Sequence, residues 1–481
     1  MVKWLNGKYW SLVIVVLLTP IAMIAISRIL PTFDDWTSLI APSFGELFSK
    51  ERLLFYGYHW RPFDATIGYI VGLNPHLLFP LLNHICVVVG HVGCTLMVWK
   101  LCGILKINDF SKNIATLFFF LTPAMLATTL AVDGLNQTYA NFWGLLSAWV
   151  YLRVKSEELR VKSGKWYMYI VWLLLIAIAT LCKENGLMWA LVAPLLAFGF
   201  QQLTTKKLIR ELIIGGSMFV IYALFVVLLP SNIIIEPEYM PGVLKTLHNI
   251  VKFFFASWAT VDSVWLLHES HRNLMLAAVT FVLSLPFIYL LFFRNWRKLL
   301  SRPFLVLLLC QLILVAPHLG TVFSMMHAYA GLGMSALMIG WLCQFCKQQK
   351  HVLWAYMLLI LSFLVIDVHL WYESYVSSLA GRDMAQQAIE KTGTPVDKVF
   401  VVTVEDDVKK LSSFCVSPCD AFGWGLSAQY ATNYEWPTEI GDTIVASDAN
   451  EAMLTEIAQD ALKRGFDCVW IVNKTNIEVV R

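Results

Sequence analysis

The sequence predicts an all-α polytopic membrane protein of about eleven transmembrane helices, with a small C-terminal extracytoplasmic α/β domain. Three observations carry this expectation. The 481 residues are 58% hydrophobic and only 14% charged, where a soluble chain carries nearer a quarter charged residues. Long apolar segments recur, and basic residues gather at alternate segment ends. From about residue 374 the composition changes to that of a soluble domain.

A spanning helix needs about 20 mostly apolar residues. Segments of that kind lie near 11–30, 77–102, 114–132, 140–154, 166–183, 186–203, 209–229, 273–293, 303–319, 330–346 and 352–372. The first is long enough to span and has no small-residue cleavage site after it, so it reads as a retained helix. One set of segment ends carries Lys3, Lys8, Lys100, Lys106, Lys112, Arg153, Lys155, Arg160, Lys162, Lys165, Lys206, Lys207, Arg210, Arg294, Arg297, Lys298, Arg302, Lys347 and Lys350. The opposite set is poorer in basic residues. Cytoplasmic loops hold the excess of Lys and Arg, so the N-terminus is expected in the cytoplasm and the C-terminal region outside. The 19 Trp suit interfacial belts.

Two outer loops are long. Residues 31–75 hold Asp34, Asp35, Glu46, Glu51, His59, Arg61 and Asp64. Within this loop, Phe44 to Phe55 and Pro62 to Leu73 read as amphipathic stretches lying along the interface. Residues 230–272 hold Glu236, Glu238, His248, Asp262, His268, His271 and Arg272, and the Phe- and Trp-rich part from Lys252 to Leu267 also reads as interfacial. In the C-terminal region, Lys398 to Val404 reads as a buried strand. Asn450 to Arg464 reads as a helix closed by Gly465, and Phe466 to Val472 as a second strand. This gives a membrane domain over 1–373 and an α/β domain over 374–481. Most of the 10 cysteines sit in apolar segments and read as buried thiols. Cys415 and Cys419 lie in polar sequence, where an oxidising compartment would allow a disulfide.

Several groups are candidates for chemistry. Asp34 and Asp35 directly follow the first span, between Phe33 and Trp36. They are either a solvated loop pair or a base whose carboxyl pKa is raised by apolar neighbours. Leu181-Cys182-Lys183-Glu184-Asn185-Gly186 joins two apolar segments with almost no turn. Asn185-Gly186 answers the need for a tight hairpin. Lys183 and Glu184 are not explained that way, because ionisable groups at membrane depth are costly and mark function or pairing. Arg61, in His59-Trp60-Arg61-Pro62, suits either a forked phosphate contact or an interfacial anchor. Asn83, His84 and His91 fall in the second span, where interhelical hydrogen bonding is the preferred reading. Asp133, with Asn136, is a loop acid or lines the site. His318 and His327 stay undecided. No phosphate-binding glycine loop, dinucleotide fingerprint, His-Glu-x-x-His or Gly-x-Ser-x-Gly motif is present. Nucleotide-driven transport and serine-nucleophile chemistry therefore lack support.

Phe33-Asp34-Asp35-Trp36 is followed by Trp60-Arg61-Pro62, Gly72-Leu73-Asn74-Pro75, Leu82-Asn83-His84 and Cys182-Lys183-Glu184-Asn185-Gly186. In order and spacing these resemble the GT-C superfamily of polytopic glycosyltransferases, over about the first 200 residues. The stretch into the second span and the Lys-Glu hairpin look like those of TMTC-type protein O-mannosyltransferases. The tetratricopeptide repeats of those proteins are absent, and the size and layout are also similar to phage-type serotype-converting O-antigen glucosyltransferases. The resemblance implies an inverting glycosyltransferase using a polyprenyl-phosphate-linked sugar. It would sit in a bacterial inner membrane, and its acceptor would be a glycan or a lipid-linked glycan. Asp35 or Asp34 would be the catalytic base. Arg61, Lys183, Glu184, Arg272 and Asp133 would bind donor phosphate and sugar. No cofactor is required, because one lysine and one arginine offset a phosphate's charge, although an acid pair is a donor set that a divalent ion accepts. Protein O-glycosylation, glycan polymerisation or ligation, and carriage of a lipid-linked glycan stay open as alternatives. A carrier is expected to show two related halves, and the chain shows none.

Overall fold

A computed structural model describes residues 7–29, 54–55, 59–60, 81–130, 134–158, 166–228, 242–259, 271–320, 323, 325–393, 396, 398–405, 438–445, 449–473 and 476–481. The chain is mostly helical. Helix α1 is Trp10–Ile26, α2 Leu81–Ile104, α3 Asp109–Leu121, α4 Pro123–Thr129, α5 Gly134–Glu158 and α6 Trp166–Cys182. These are followed by α7 Trp189–Gly199, α8 Thr205–Leu228, α9 Val243–Phe254, α10 His271–Ile288, α11 Arg302–Leu319, α12 Met325–Cys343 and α13 Gln349–Thr392. The described part of each of the eleven apolar segments read from sequence is mostly helix. Among the described residues, five stretches are both long and apolar enough to cross a membrane: His84–Ile104, Leu274–Phe293, Arg302–Leu319, Met326–Cys343 and Gln349–Val376. That is consistent with a multi-pass membrane protein. The remaining helices are shorter or carry more charge.

The bundle has one continuous apolar core, to which α1–α3, α5–α7 and α10–α13 all contribute. Its outer surface is apolar as well. Val16 is 69% exposed and Ile213 69%, and Leu224, Val282 and Val368 are likewise open. Helices that are hydrophobic all round belong in a buried or lipid environment. The third apolar segment is broken where Thr122 turns extended (ψ 139°) and Pro123 opens α4 at its first turn, where a missing N–H costs nothing.

Two local features fall in the long loops. Of the Phe44 to Phe55 stretch, Leu54–Phe55 lies within the described residues, as a strand paired antiparallel with His59–Trp60 (β1 and β2). The aromatic neighbourhood, with Phe55, Tyr56, Tyr58 and Trp60, suits that pairing. In the second long loop an amphipathic helix, α9, covers Val243–Phe254 and overlaps the start of the Lys252 to Leu267 stretch. Val243, Leu244, Leu247 and Val251 open outward from α9, while Asn249 and Phe253 are buried against the bundle.

Helix α13 runs unbroken from Gln349 to Thr392, about 66 Å at 1.5 Å per residue. It passes the composition change near residue 374 and supplies one layer of the C-terminal domain. That domain holds a four-stranded sheet of β3 Val399–Glu405, β4 Thr438–Val445, β5 Cys468–Asn473 and β6 Asn476–Val480, in the order β4-β3-β5-β6. β3 is parallel to β4 and β5, and β6 returns antiparallel to β5. Met384 and Ala388 of α13 pack one face with Val399, Val401 and Trp470. Helix α14, Glu451–Lys463, packs the other through Ala458 and Ala461. Asn450 caps α14 through its side chain, and Gly465, at φ +92°, ends it, a left-handed turn that glycine adopts without steric cost.

Candidate functional site

The described part of the candidate site is built on the hairpin between α6 and α7. The chain leaves α6 at Cys182 and turns at Lys183, whose backbone is extended (φ −159°, ψ 145°). It then enters a 3-10 turn, Glu184–Met188. Gly186 N–H closes on the Lys183 carbonyl at 2.8 Å. A Cβ on Gly186 would lie 2.3 Å from the Ala179 carbonyl carbon, so only glycine allows the turn to fold this tightly onto α6.

The fold-back carries Lys183 inward. Lys183 is only 5% exposed, and its Nζ donates to Asn136 Oδ1 at 3.3 Å, in the first turn of α5. Glu184 is half-buried on the same turn. Asn185 and Gln137, near neighbours of this pair in sequence, are buried as well. The same end of the bundle holds two buried histidines of α2. His84 Nε2 donates to the Ile29 carbonyl at 3.2 Å, just past α1. His91 Nε2 faces the Phe120 carbonyl, and its Nδ1 lies 2.8 Å from Tyr329 Oη. The carbonyl contact makes Nε2 the protonated nitrogen, so Nδ1 accepts from the Tyr329 hydroxyl. Both histidines thus bridge to other segments, as interhelical hydrogen bonding expects. His318 and His327 meet at the near ends of α11 and α12, with ring centroids 4.5 Å apart and ring planes tilted by 31°.

The other predicted site residues divide as follows. Asp34, Asp35, Arg61 and Asp133 lie outside the described residues, as do Cys415 and Cys419. Arg272 falls in the first turn of α10, with its backbone described and its side chain not. Lys183 and Glu184 are therefore the two predicted site residues whose side chains can be placed. Sequence reasoning passed over Gln137, Tyr329 and Asp367. Gln137 follows the considered Asn136 directly. Asp367 is an acid inside the candidate span of α13, and the rule that marked Lys183 applies equally to it. Asp367 Oδ1 is buried with no hydrogen-bond partner among the described residues.

The bundle's opposite end has a second buried lysine. Lys155 Nζ lies 3.1 Å from Glu211 Oε1, with side chains 2% and 0% exposed. It also donates to Tyr169 Oη. Arg210 Nη2 and Tyr169 Oη reach the same Glu211 oxygen at 2.9 and 3.0 Å. This network joins α5, α6 and α8.

Among the described residues, no group of three or more His, Cys, Asp or Glu side chains is arranged to hold a metal ion. No protein-family model matches the chain, and no curated protein matches it significantly.

Proposed function

We propose that the chain is an integral-membrane inverting glycosyltransferase. It moves a sugar from a polyprenyl-phosphate donor to an acceptor hydroxyl on the extracytoplasmic side, with a surface glycan such as O-antigen as acceptor. The observation that best supports this reading is Lys183. A tight hairpin holds its ammonium inside the bundle, at the same end where the chain leaves α1 towards Asp34 and Asp35. A buried cation beside neutral amides is suited to a phosphate.

In this reading Asp35 or Asp34 takes the proton of the acceptor hydroxyl. The hydroxyl oxygen bonds to the anomeric carbon as the carbon–oxygen bond to the lipid phosphate breaks, and configuration inverts. The electron pair leaves with the phosphate, now a monoester dianion. Lys183, Arg61 and Arg272 offset that charge, which is electrostatic stabilisation of a leaving group. Glu184 orients Lys183 or a sugar hydroxyl.

The test uses the full chain in liposomes with a polyprenyl-phosphate sugar. Asp→Asn at the true base should lower transfer about 10²–10⁴-fold with donor binding nearly intact, since shape is kept and only proton acceptance is lost. Lys183→Ala should weaken binding and transfer together. If Asp34→Asn and Asp35→Asn both transfer sugar at the normal rate, the reading loses its main support.

A further inference from the structure

The geometry points to a buried carboxamide subsite beside Lys183, built from Gln137 and Asn185, that takes the hydroxyl groups of a neutral sugar. This inference rests on the proposed sugar-transfer reading and names what part of the donor enters the bundle.

The Lys183–Asn136 hydrogen bond joins the hairpin to the first turn of α5. Gln137 is the next residue along α5, and Asn185 lies two past Lys183. Gln137 is 0% exposed and Asn185 3%. Gln137 Nε2 and Oε1 both lack a hydrogen-bond partner among the described residues, and so does Asn185 Oδ1. Gln137 is the one described side chain with two such atoms. Exchanging its amide oxygen and nitrogen would change nothing, because both ends are empty-handed. Buried amides left unpaired are unfavourable, and native proteins keep few of them. Their arrangement on two elements already tied by Lys183 makes a ligand the economical explanation.

The chemistry selects the ligand class. A phosphate offers only acceptors, so it would satisfy Lys183 and leave the Gln137 and Asn185 oxygens unserved. A hydroxyl donates and accepts in one group. Adjacent hydroxyls on a sugar ring can therefore fill Gln137 Nε2, Gln137 Oε1 and Asn185 Oδ1 together. A phosphate on Lys183 and hydroxyls on the amides match the two ends of a sugar phosphate.

The full chain in nanodiscs would be titrated with polyprenyl-phosphate mannose, polyprenyl-phosphate glucose and the methyl phosphodiester of the same lipid. The methyl ester carries the same single charge and no sugar. Wild type should prefer at least one sugar lipid over the methyl ester by about tenfold, the scale of a few buried hydrogen bonds. Gln137→Met and Asn185→Ala should each cut that preference at least about fivefold while methyl-ester affinity stays within about twofold. A variant that binds none of the lipids has lost its fold, and Gln137→Asn then carries the same comparison. Wild type that binds the methyl ester but prefers neither sugar overturns the subsite, as does an unchanged preference in the variants. Wild type that binds no lipid overturns the transferase reading itself, and the subsite with it.

Discussion

Two lysines are buried at opposite ends of one helix bundle, and they are satisfied in different ways. Lys155 closes on the carboxylate of Glu211, which Arg210 and Tyr169 also reach. Lys183 donates to the side-chain oxygen of Asn136. Both residues belong to or adjoin the same pair of helices, since α5 carries Lys155 and Asn136, and α6 carries Tyr169 and leads into Lys183. Burial alone therefore does not set the role of a lysine. A carboxylate partner neutralises the charge inside the fold and makes it a cross-link between helices. A carboxamide partner adds no charge of its own, so Asn136 holds the ammonium in place without being the group that neutralises it.

The largest effect expected from this contrast is on stability at the Lys155 end. Lys155→Met removes the buried cation from Glu211 but leaves it Arg210 and Tyr169, so the cost falls at or below the about 3–5 kcal/mol of breaking a buried pair from one side. Reversible unfolding of the detergent-solubilised chain measures it. Lys155→Met combined with Glu211→Leu should recover most of the loss, because no buried charge is left. A single variant that unfolds like wild type would mean that the network is not what holds α5, α6 and α8 together.

A middle-sized effect is expected at the hairpin. Gly186→Ala places a methyl 2.3 Å from the Ala179 carbonyl carbon and 2.6 Å from Thr180 N. These are backbone atoms that cannot rotate away, so the hairpin must open. Overpacking of this kind costs about 1–3 kcal/mol. Gly216→Ala in α8, where nothing lies within 4 Å, should instead stabilise by about 0.5–1 kcal/mol. Melting curves of the two variants side by side give the comparison. Equal behaviour would remove the claim that close packing holds Lys183 in place.

Much of this contrast was legible before any coordinates. Apolar segment length located the bundle helices other than α9 and did not show the break between α3 and α4, and the rule that charge at membrane depth needs a reason singled out Lys183. Lys155 looked like an ordinary basic residue at a segment end, because its partner Glu211 is 56 residues away and pairing across helices leaves no local pattern. The same limit hid Tyr329, 238 residues from His91. In the C-terminal domain β3 and β5 stood out as apolar runs. β4 did not, because Gly441-Asp442 at its centre resembles a turn, and β6 is only five residues long. The composition change near residue 374 marks a change of surroundings. It does not mark a break in α13, because a helix needs no sequence signal to continue.

The finest test converts one end of the bundle into the other. Asn136→Asp would place a carboxylate where the Asn136 amide now accepts from Lys183, giving Lys183 the kind of partner Lys155 has. Opposite charges about 4 Å apart attract by about 4 kcal/mol at an effective dielectric near 20, but burying the new carboxylate consumes most of that. Thermal stability should therefore stay within about 1 kcal/mol of wild type. Donor binding should change more. The new carboxylate neutralises Lys183 and repels an incoming phosphate, so affinity for a polyprenyl phosphate should fall by about tenfold or more, with 1.4 kcal/mol corresponding to each factor of ten. Asn136→Leu, which removes the acceptor without adding charge, should reduce affinity less. If Asn136→Asp binds the anionic lipid as tightly as wild type, Lys183 is not the group that meets the phosphate, and the two ends of the bundle differ in pairing but not in use.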